Sequence, residues 1–73
     1  MRRFENNQRI IITDSKHFLC GKSGRVVRLR YSDVAGWVQM DEQPPAWCCP
    51  FPQDDPAGRG KNILIHPRQC EAV

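Results

Sequence analysis

Residues 20–40 hold the sequence pattern that most constrains the fold of this chain. Gly21 and Gly24 flank a Lys-Ser dipeptide, and glycine accepts the positive φ of a tight turn. Apolar and basic residues alternate after this turn, and residues 36–40 are rich in strand-forming types. A period of two residues is typical of a strand with one buried face. The pattern therefore predicts two antiparallel strands joined by a short polar connection at residues 32–35.

The first of these two strands begins at Arg25, and its two faces differ in chemistry. Its apolar residues are expected on the buried face: Val27, Leu29 and Tyr31. Its arginines are expected on one solvent face, where they form a basic patch with two lysines of the adjoining loop: Lys16, Lys22, Arg25, Arg28 and Arg30. Val26 interrupts the alternation, which allows a β-bulge in this strand.

Three further short strands are predicted, and together they make an all-β domain. They cover residues 8–13, 62–66 and 70–73. Pro67 ends the fourth strand because proline cannot donate a hydrogen bond to a strand ladder, and one turn of 3₁₀ helix is expected before the last strand. The side chains expected in the core are Ile10, Ile12, Val27, Leu29, Val38, Ile63 and Ile65.

Two long loops interrupt the predicted strands. The first spans residues 14–23, and the second, residues 43–61, holds five of the six prolines. A structureless segment of that length is uncommon in a compact domain. We expect Trp47 and Phe51 of this proline-rich loop to pack against the sheet; the alternative is an exposed recognition loop.

Length and charge limit the classes of protein to consider. Seventy-three residues form one domain, residues 1–73, which buries only ~60% of its unfolded surface. Residues 1–7 are expected to be flexible, with Phe4 docking on the sheet. The net charge of +3 supports anion binding without requiring it. No apolar run approaches the ~20 residues that cross a bilayer, and no signal-peptide core follows residues 1–7, so we expect a cytoplasmic protein without a membrane partner.

The cysteines allow a disulfide, a metal or a reduced-thiol interpretation. They lie at positions 20, 48, 49 and 70. His17-x-x-Cys20 and His66-x-x-x-Cys70 have the spacing of zinc-ligand pairs, but the side chains of adjacent Cys48 and Cys49 point apart in an extended chain. We expect reduced thiols and no bound metal or other cofactor, with Cys20 and Cys70 acting as small buried apolar residues.

Five short strands, a long first loop and a 3₁₀ turn before the last strand resemble the SH3-like barrel. Within this pattern, residues 21–29 resemble the KOW motif of ribosomal proteins and transcription elongation factors, where a basic, glycine-bearing loop leads into an alternating strand. The resemblance covers residues 8–40, and Asn7 and Gln8 replace the usual glycine before the first strand. It rests on Lys22, Gly24, Arg25, Val27, Arg28 and Leu29. It implies contact with RNA or with partner proteins through the loops around the motif.

Two other SH3-like families are also similar in part. Residues 62–71 resemble the end of the plasmid-type dihydrofolate reductase, a tetrameric enzyme, but Leu64 and His66 stand where that family has a glutamine and a tyrosine. The small accessory subunit of photosystem I is similar in length and topology. Neither histidine has a neighbouring carboxylate in sequence, and residues 54–55 form an acidic pair in a proline-bounded turn. We therefore expect no enzyme activity and no catalytic residues.

The favoured function is non-enzymatic binding of RNA or single-stranded DNA. Its predicted site is the basic patch together with Tyr31, whose ring would stack on bases. Trp37 is a second candidate for stacking, although its place in the middle of a strand favours the core. The alternative is a protein-interaction or accessory-subunit module that docks through residues 43–61 or an edge strand. The oligomeric state stays open.

Overall fold

The computed structural model describes residues 3–30, 34–45, 47 and 61–73. These residues form five strands: β1 (Arg9–Ile12), β2 (Ser23–Arg30), β3 (Ala35–Met40), β4 (Ile63–Ile65) and β5 (Cys70–Ala72). A 3₁₀ turn, Pro67–Gln69, connects β4 to β5. The all-β prediction is confirmed, as is the 3₁₀ turn before the last strand. Among the described residues, no helix is long and apolar enough to span a membrane.

All five strands belong to one antiparallel sheet. Their order across the sheet is β4-β3-β2-β1-β5, so consecutive strands β1 to β4 are neighbours and β5 returns to pair with β1. In the described part of the chain, β4 and β5 are edge strands and are not paired with each other.

The short connection between the edge strands requires the sheet to bend. Ile65 and Cys70 are five positions apart in the chain, and a segment of that length can span at most about 18 Å. Ile65 of β4 pairs with Gly36 of β3, which in turn pairs with Leu29 of β2. On the other side of the sheet, Cys70 of β5 pairs with Ile12 of β1, which is hydrogen-bonded to Lys22. A flat sheet would place these two points roughly 30 Å apart, given about 4.8 Å between strands and 3.3 Å per residue. The sheet is therefore strongly curved.

The core lies against one face of this curved sheet and draws on every strand. Its buried residues form one cluster: Phe4, Ile10, Ile12, Val26, Val38, Met40, Ile63, Ile65 and Cys70. Leu19 of the first loop and Leu29 pack against the cluster. The docking predicted for Phe4 is confirmed, because its ring lies over the backbone of Gly36 and its side chain is 1% exposed.

The prediction that Val27 is buried is wrong. A register shift between Val26 and Arg28 marks the β-bulge that the sequence allowed. Val26 pairs with Val38 and is fully buried, whereas Val27 has no partner in β3 and is 37% exposed. The extra residue reverses the alternation after Val26, and Leu29 is consequently half-buried at the margin of the core.

The two glycines of the turn before β2 serve different purposes. Gly21 has a φ of 89°, as expected for a tight turn. Gly24 instead lets two strands approach closely, because a Cβ atom there would lie 2.7 Å from the backbone oxygen of Gln39 and 3.0 Å from Cα of Met40. At Gly36 the nearest atom to such a Cβ belongs to the Phe4 side chain, at 2.9 Å.

We predict that Gly24→Ala destabilises the protein by about 1–3 kcal/mol and that Gly36→Ala costs less. Backbone atoms oppose the new methyl group at Gly24, whereas side chains of Phe4 and Val26 oppose it at Gly36 and can move aside. Urea unfolding of both variants measures the difference. A Gly24→Ala protein as stable as the wild type would contradict the close approach of β2 and β3.

Candidate functional site

Three arginines of β2 lie on the face of the sheet opposite the core. Their partners in β3 are alternate residues of one face: Gln39 for Arg25, Trp37 for Arg28 and Ala35 for Arg30. Strict alternation would place Arg25 and Arg28 on opposite faces, since three positions separate them. The bulge at Val27 supplies the extra residue that brings them to the same face. We call this surface, with Arg9 described next, the arginine face.

Arg9 of β1 extends the arginine face across the sheet, because it pairs with Arg25. Its guanidinium donates two hydrogen bonds to the carboxylate of Asp41, with Nη1 to Oδ1 at 2.7 Å and Nη2 to Oδ2 at 2.5 Å. The hydroxyl of Ser23 donates to the same carboxylate at 2.8 Å. The sequence interpretation did not include Arg9. Its position before the buried Ile10 in an alternating strand is the signal that could have found it.

The Arg9–Asp41 pair sets the charge state of this part of the face. Hydrogen bonds from Arg9 and then Ser23 lower the pKa of Asp41 from 3.8 to about 2, and the charge of Arg25 acts in the same direction. The bond to Asp41 raises the pKa of Arg9. Both side chains are partly exposed, so water and salt screen the attraction. Asp41 therefore neutralises Arg9 in the free protein without burying it.

A groove of about 270 Å³ lies beside this pair. Its lining residues are Arg9, Arg25, Gln39, Met40 and Asp41. Two guanidinium groups and an amide offer hydrogen-bond donors in a geometry open to solvent, and arginine forks match the oxygens of a phosphate. Within the described residues, neither Arg25 nor Arg28 has a carboxylate within ion-pair distance. The groove can therefore hold an anionic group next to Arg25.

The two predicted lysines belong to the first loop, and neither lines the groove beside Arg9. Lys22 forms an ion pair with Glu42, with 2.8 Å between Nζ and Oε2, and lines a separate small pocket of about 80 Å³ that includes Pro44 and Pro45. Lys16 is exposed in the first loop, where its backbone N–H donates to Asp14. Tyr31, the predicted stacking residue, lies outside the described residues.

Trp37 is part of the interior, as its position in the strand indicated. It points away from the main core, since its neighbour Val38 faces that core, yet it is 1% exposed. Its Nε1–H group is buried and has no hydrogen-bond acceptor among the described residues. A ring this enclosed offers no surface for a base to stack on.

An exposed aromatic stack lies in the loops instead. The rings of His17 and Phe18 are stacked, with centroids 4.7 Å apart, and Phe18 contacts Trp47 at 5.1 Å with a tilt of 37°. The prediction that Trp47 packs against the sheet is wrong, because Trp47 is 71% exposed and Phe18 is 56% exposed. Phe51, which shared that prediction, lies outside the described residues.

The cysteines divide into two environments. Cys70 is buried in the core, and burial raises the pKa of its thiol to about 11. The prediction that Cys20 is buried is wrong, since it is exposed in the first loop. Cys20 is a free thiol, whereas Cys48 and Cys49 lie outside the described residues. Residues 3–30, 34–45, 47 and 61–73 contain no group of three or more potential metal ligands.

The sequence matches no protein-family model, and neither the curated proteins nor the solved structures gave a significant match. The chemistry of the arginine face and of the aromatic stack is thus the basis on which function can be inferred.

We predict that the stability gap between the wild type and Asp41→Asn shrinks in acid. The lowered pKa of Asp41 means that its ionised form stabilises the fold, fully so above its ordinary pKa of 3.8 and progressively less as the pH falls through about 2. Urea unfolding of both proteins at pH 5 and pH 2 measures this gap. A gap equally large at both pH values would show that the Arg9–Asp41 pair does not stabilise the fold.

Proposed function

We propose that this protein is a small, non-enzymatic, cytoplasmic module that binds single-stranded nucleic acid, either RNA or DNA, through the arginine face. The observation that carries the proposal is the β-bulge, which brings Arg25, Arg28 and Arg30 to one side of the sheet. Phosphate groups supply most of the affinity of such proteins, because each neutralised phosphate releases counterions. The groove between Arg9 and Arg25 is the centre of the proposed contact.

We further propose that the curved sheet is an SH3-like barrel related to the KOW motif. The strand order, with β5 beside β1 and a 3₁₀ turn before it, supports this proposal, as does the strong curvature. The close approach at Gly24 gives a physical reason for a glycine at the position where the resemblance has one. Binding through a strand face and its preceding loop is then the expected mode.

A protein-docking module is the second candidate, and one observation favours it. Trp47, at the start of the proline-rich loop, exposes most of its ring, and exposed tryptophans are frequent anchors of protein interfaces. Edge strands β4 and β5 offer a second route, by strand addition. The nucleic-acid proposal leads because the basic residues converge on one face, whereas the described part of the loop presents a single exposed aromatic residue.

We predict that replacing Arg25 and Arg28 with alanine weakens binding to a single-stranded oligonucleotide and flattens its salt dependence. The slope of log K against log salt should fall by roughly 0.7 for each lost phosphate contact, about 1.4 in total. Fluorescence anisotropy of a labelled oligonucleotide over a range of salt concentrations measures this slope.

Arg68→Ala is the matched control for these changes, because Arg68 is exposed on the turn between the edge strands. It removes one positive charge, as Arg25→Ala or Arg28→Ala alone does, and should leave the slope unchanged. If Arg68→Ala and Arg28→Ala reduce the slope equally, net charge alone accounts for binding. If the wild type fails to bind at low salt, the docking alternative takes precedence.

We predict that Asp41→Asn increases the slope by roughly 0.7, because it frees Arg9 to contact an additional phosphate. Glu5→Gln changes the net charge by the same amount at an exposed residue that lines neither the groove nor the second pocket, and should leave the slope unchanged. The same anisotropy titrations compare the two variants. Equal increases would mean that binding does not depend on the arginine face.

A further inference from the structure

His17, Phe18 and Trp47 form an aromatic stack on the surface, and the first of its rings is held by a hydrogen bond. The Nδ1 atom of His17 accepts a hydrogen bond from the backbone N–H of Leu19 at 3.0 Å, which holds the imidazole ring in place. Leu19 in turn packs against the core cluster. Phe18 lies between the other two rings. The stack is thus attached to the core at one end and exposes Trp47 at the other.

The aromatic stack is not part of the hydrophobic core. Trp47 and Phe18 are 71% and 56% exposed, so most of the favourable free energy that burying two large aromatic rings would supply is not gained by folding. Exposed aromatic faces on a basic protein are suited to a ligand that is planar and anionic. A nucleobase in a single strand meets both conditions, since its ring stacks on any aromatic face and its backbone carries phosphates.

The stack lies at the same end of the sheet as the groove. The Lys22–Glu42 ion pair joins the first loop to the chain that follows β3, and Phe18 and Trp47 belong to these two segments. Arg25 lies in β2, three residues, about 10 Å, beyond Lys22 at the end of the first loop. Lys16, next to His17, is exposed and has no acidic partner within ion-pair distance among the described residues. Positive charge therefore flanks the aromatic rings.

We propose that Trp47, supported by Phe18, is the base-stacking platform for a single strand whose phosphates contact Lys16 and the arginine face. This inference rests on the proposed nucleic-acid function and adds a contact to the bases, which the arginines do not contact. Stacking on an aromatic ring is tolerant of base identity, so the site confers a preference for unpaired strands without sequence specificity.

The test compares an oligothymidine with an abasic strand of equal length, because the two differ in bases but share their phosphates. The wild type should bind oligothymidine more tightly, and Trp47→Ala should lower that affinity by roughly 5- to 150-fold, the range measured for single aromatic contacts. Its affinity for the abasic strand and its salt slope should not change. Urea unfolding of the variant verifies its fold, which an exposed side chain should not affect.

Trp47→Phe is the conservative control and should keep most of the oligothymidine affinity. Intrinsic fluorescence gives a second readout, because the signal of the exposed Trp47 should be quenched by oligothymidine while that of the buried Trp37 stays constant. If Trp47→Ala binds both strands as the wild type does, the stacking proposal is overturned and the phosphate-binding function stands. If the wild type binds neither strand, the nucleic-acid function itself fails, and the stack is assigned to a protein partner.

Discussion

The β-bulge at Val27 is the constraint on which both the core and the candidate site depend. Before the bulge, Gly24 and Val26 face the core. Strict alternation would next turn position 28 towards the core, but after the bulge Leu29 faces it instead. The same insertion turns Arg28 to the side that already carries Arg25. A bulge also increases local twist and bends its strand. One unpaired residue therefore contributes to packing, to the curvature of the sheet and to the clustering of positive charge.

Local sequence signals were enough to predict the strands but not the pairing details that create the site. The β-branched runs, the alternation after Arg25 and the proline at position 67 each act within a few residues, and the strands they predicted are present. The interruption at Val26 indicated a bulge, yet it did not show which valine would be buried. That choice depends on the partner strand, because Val26 gains a place opposite Val38 only in the folded sheet.

The residues that sequence reasoning missed or misplaced are those whose environment comes from distant parts of the chain. Arg9 meets Asp41 across 32 positions, and Phe18 meets Trp47 across two loops. No local pattern encodes such contacts. Trp47 lies between prolines and resembles a packing residue in sequence, but it is not part of the described core cluster, and its ring lies on the surface.

For the proposed binding of phosphates, the positions of the charged residues matter more than the net charge. Asp41 and Glu42, adjacent at the end of β3, bind Arg9 and Lys22 respectively, so two of the cations nearest this end of the sheet are neutralised in the free protein. Phosphates could recruit Arg9 only by displacing a carboxylate, which weakens its net contribution to binding. Arg25 and Arg28 face no such competition within ion-pair distance among the described residues. In the proposed complex they would supply the salt-dependent part of the affinity, and the exposed ring of Trp47 would supply a part that salt leaves unchanged.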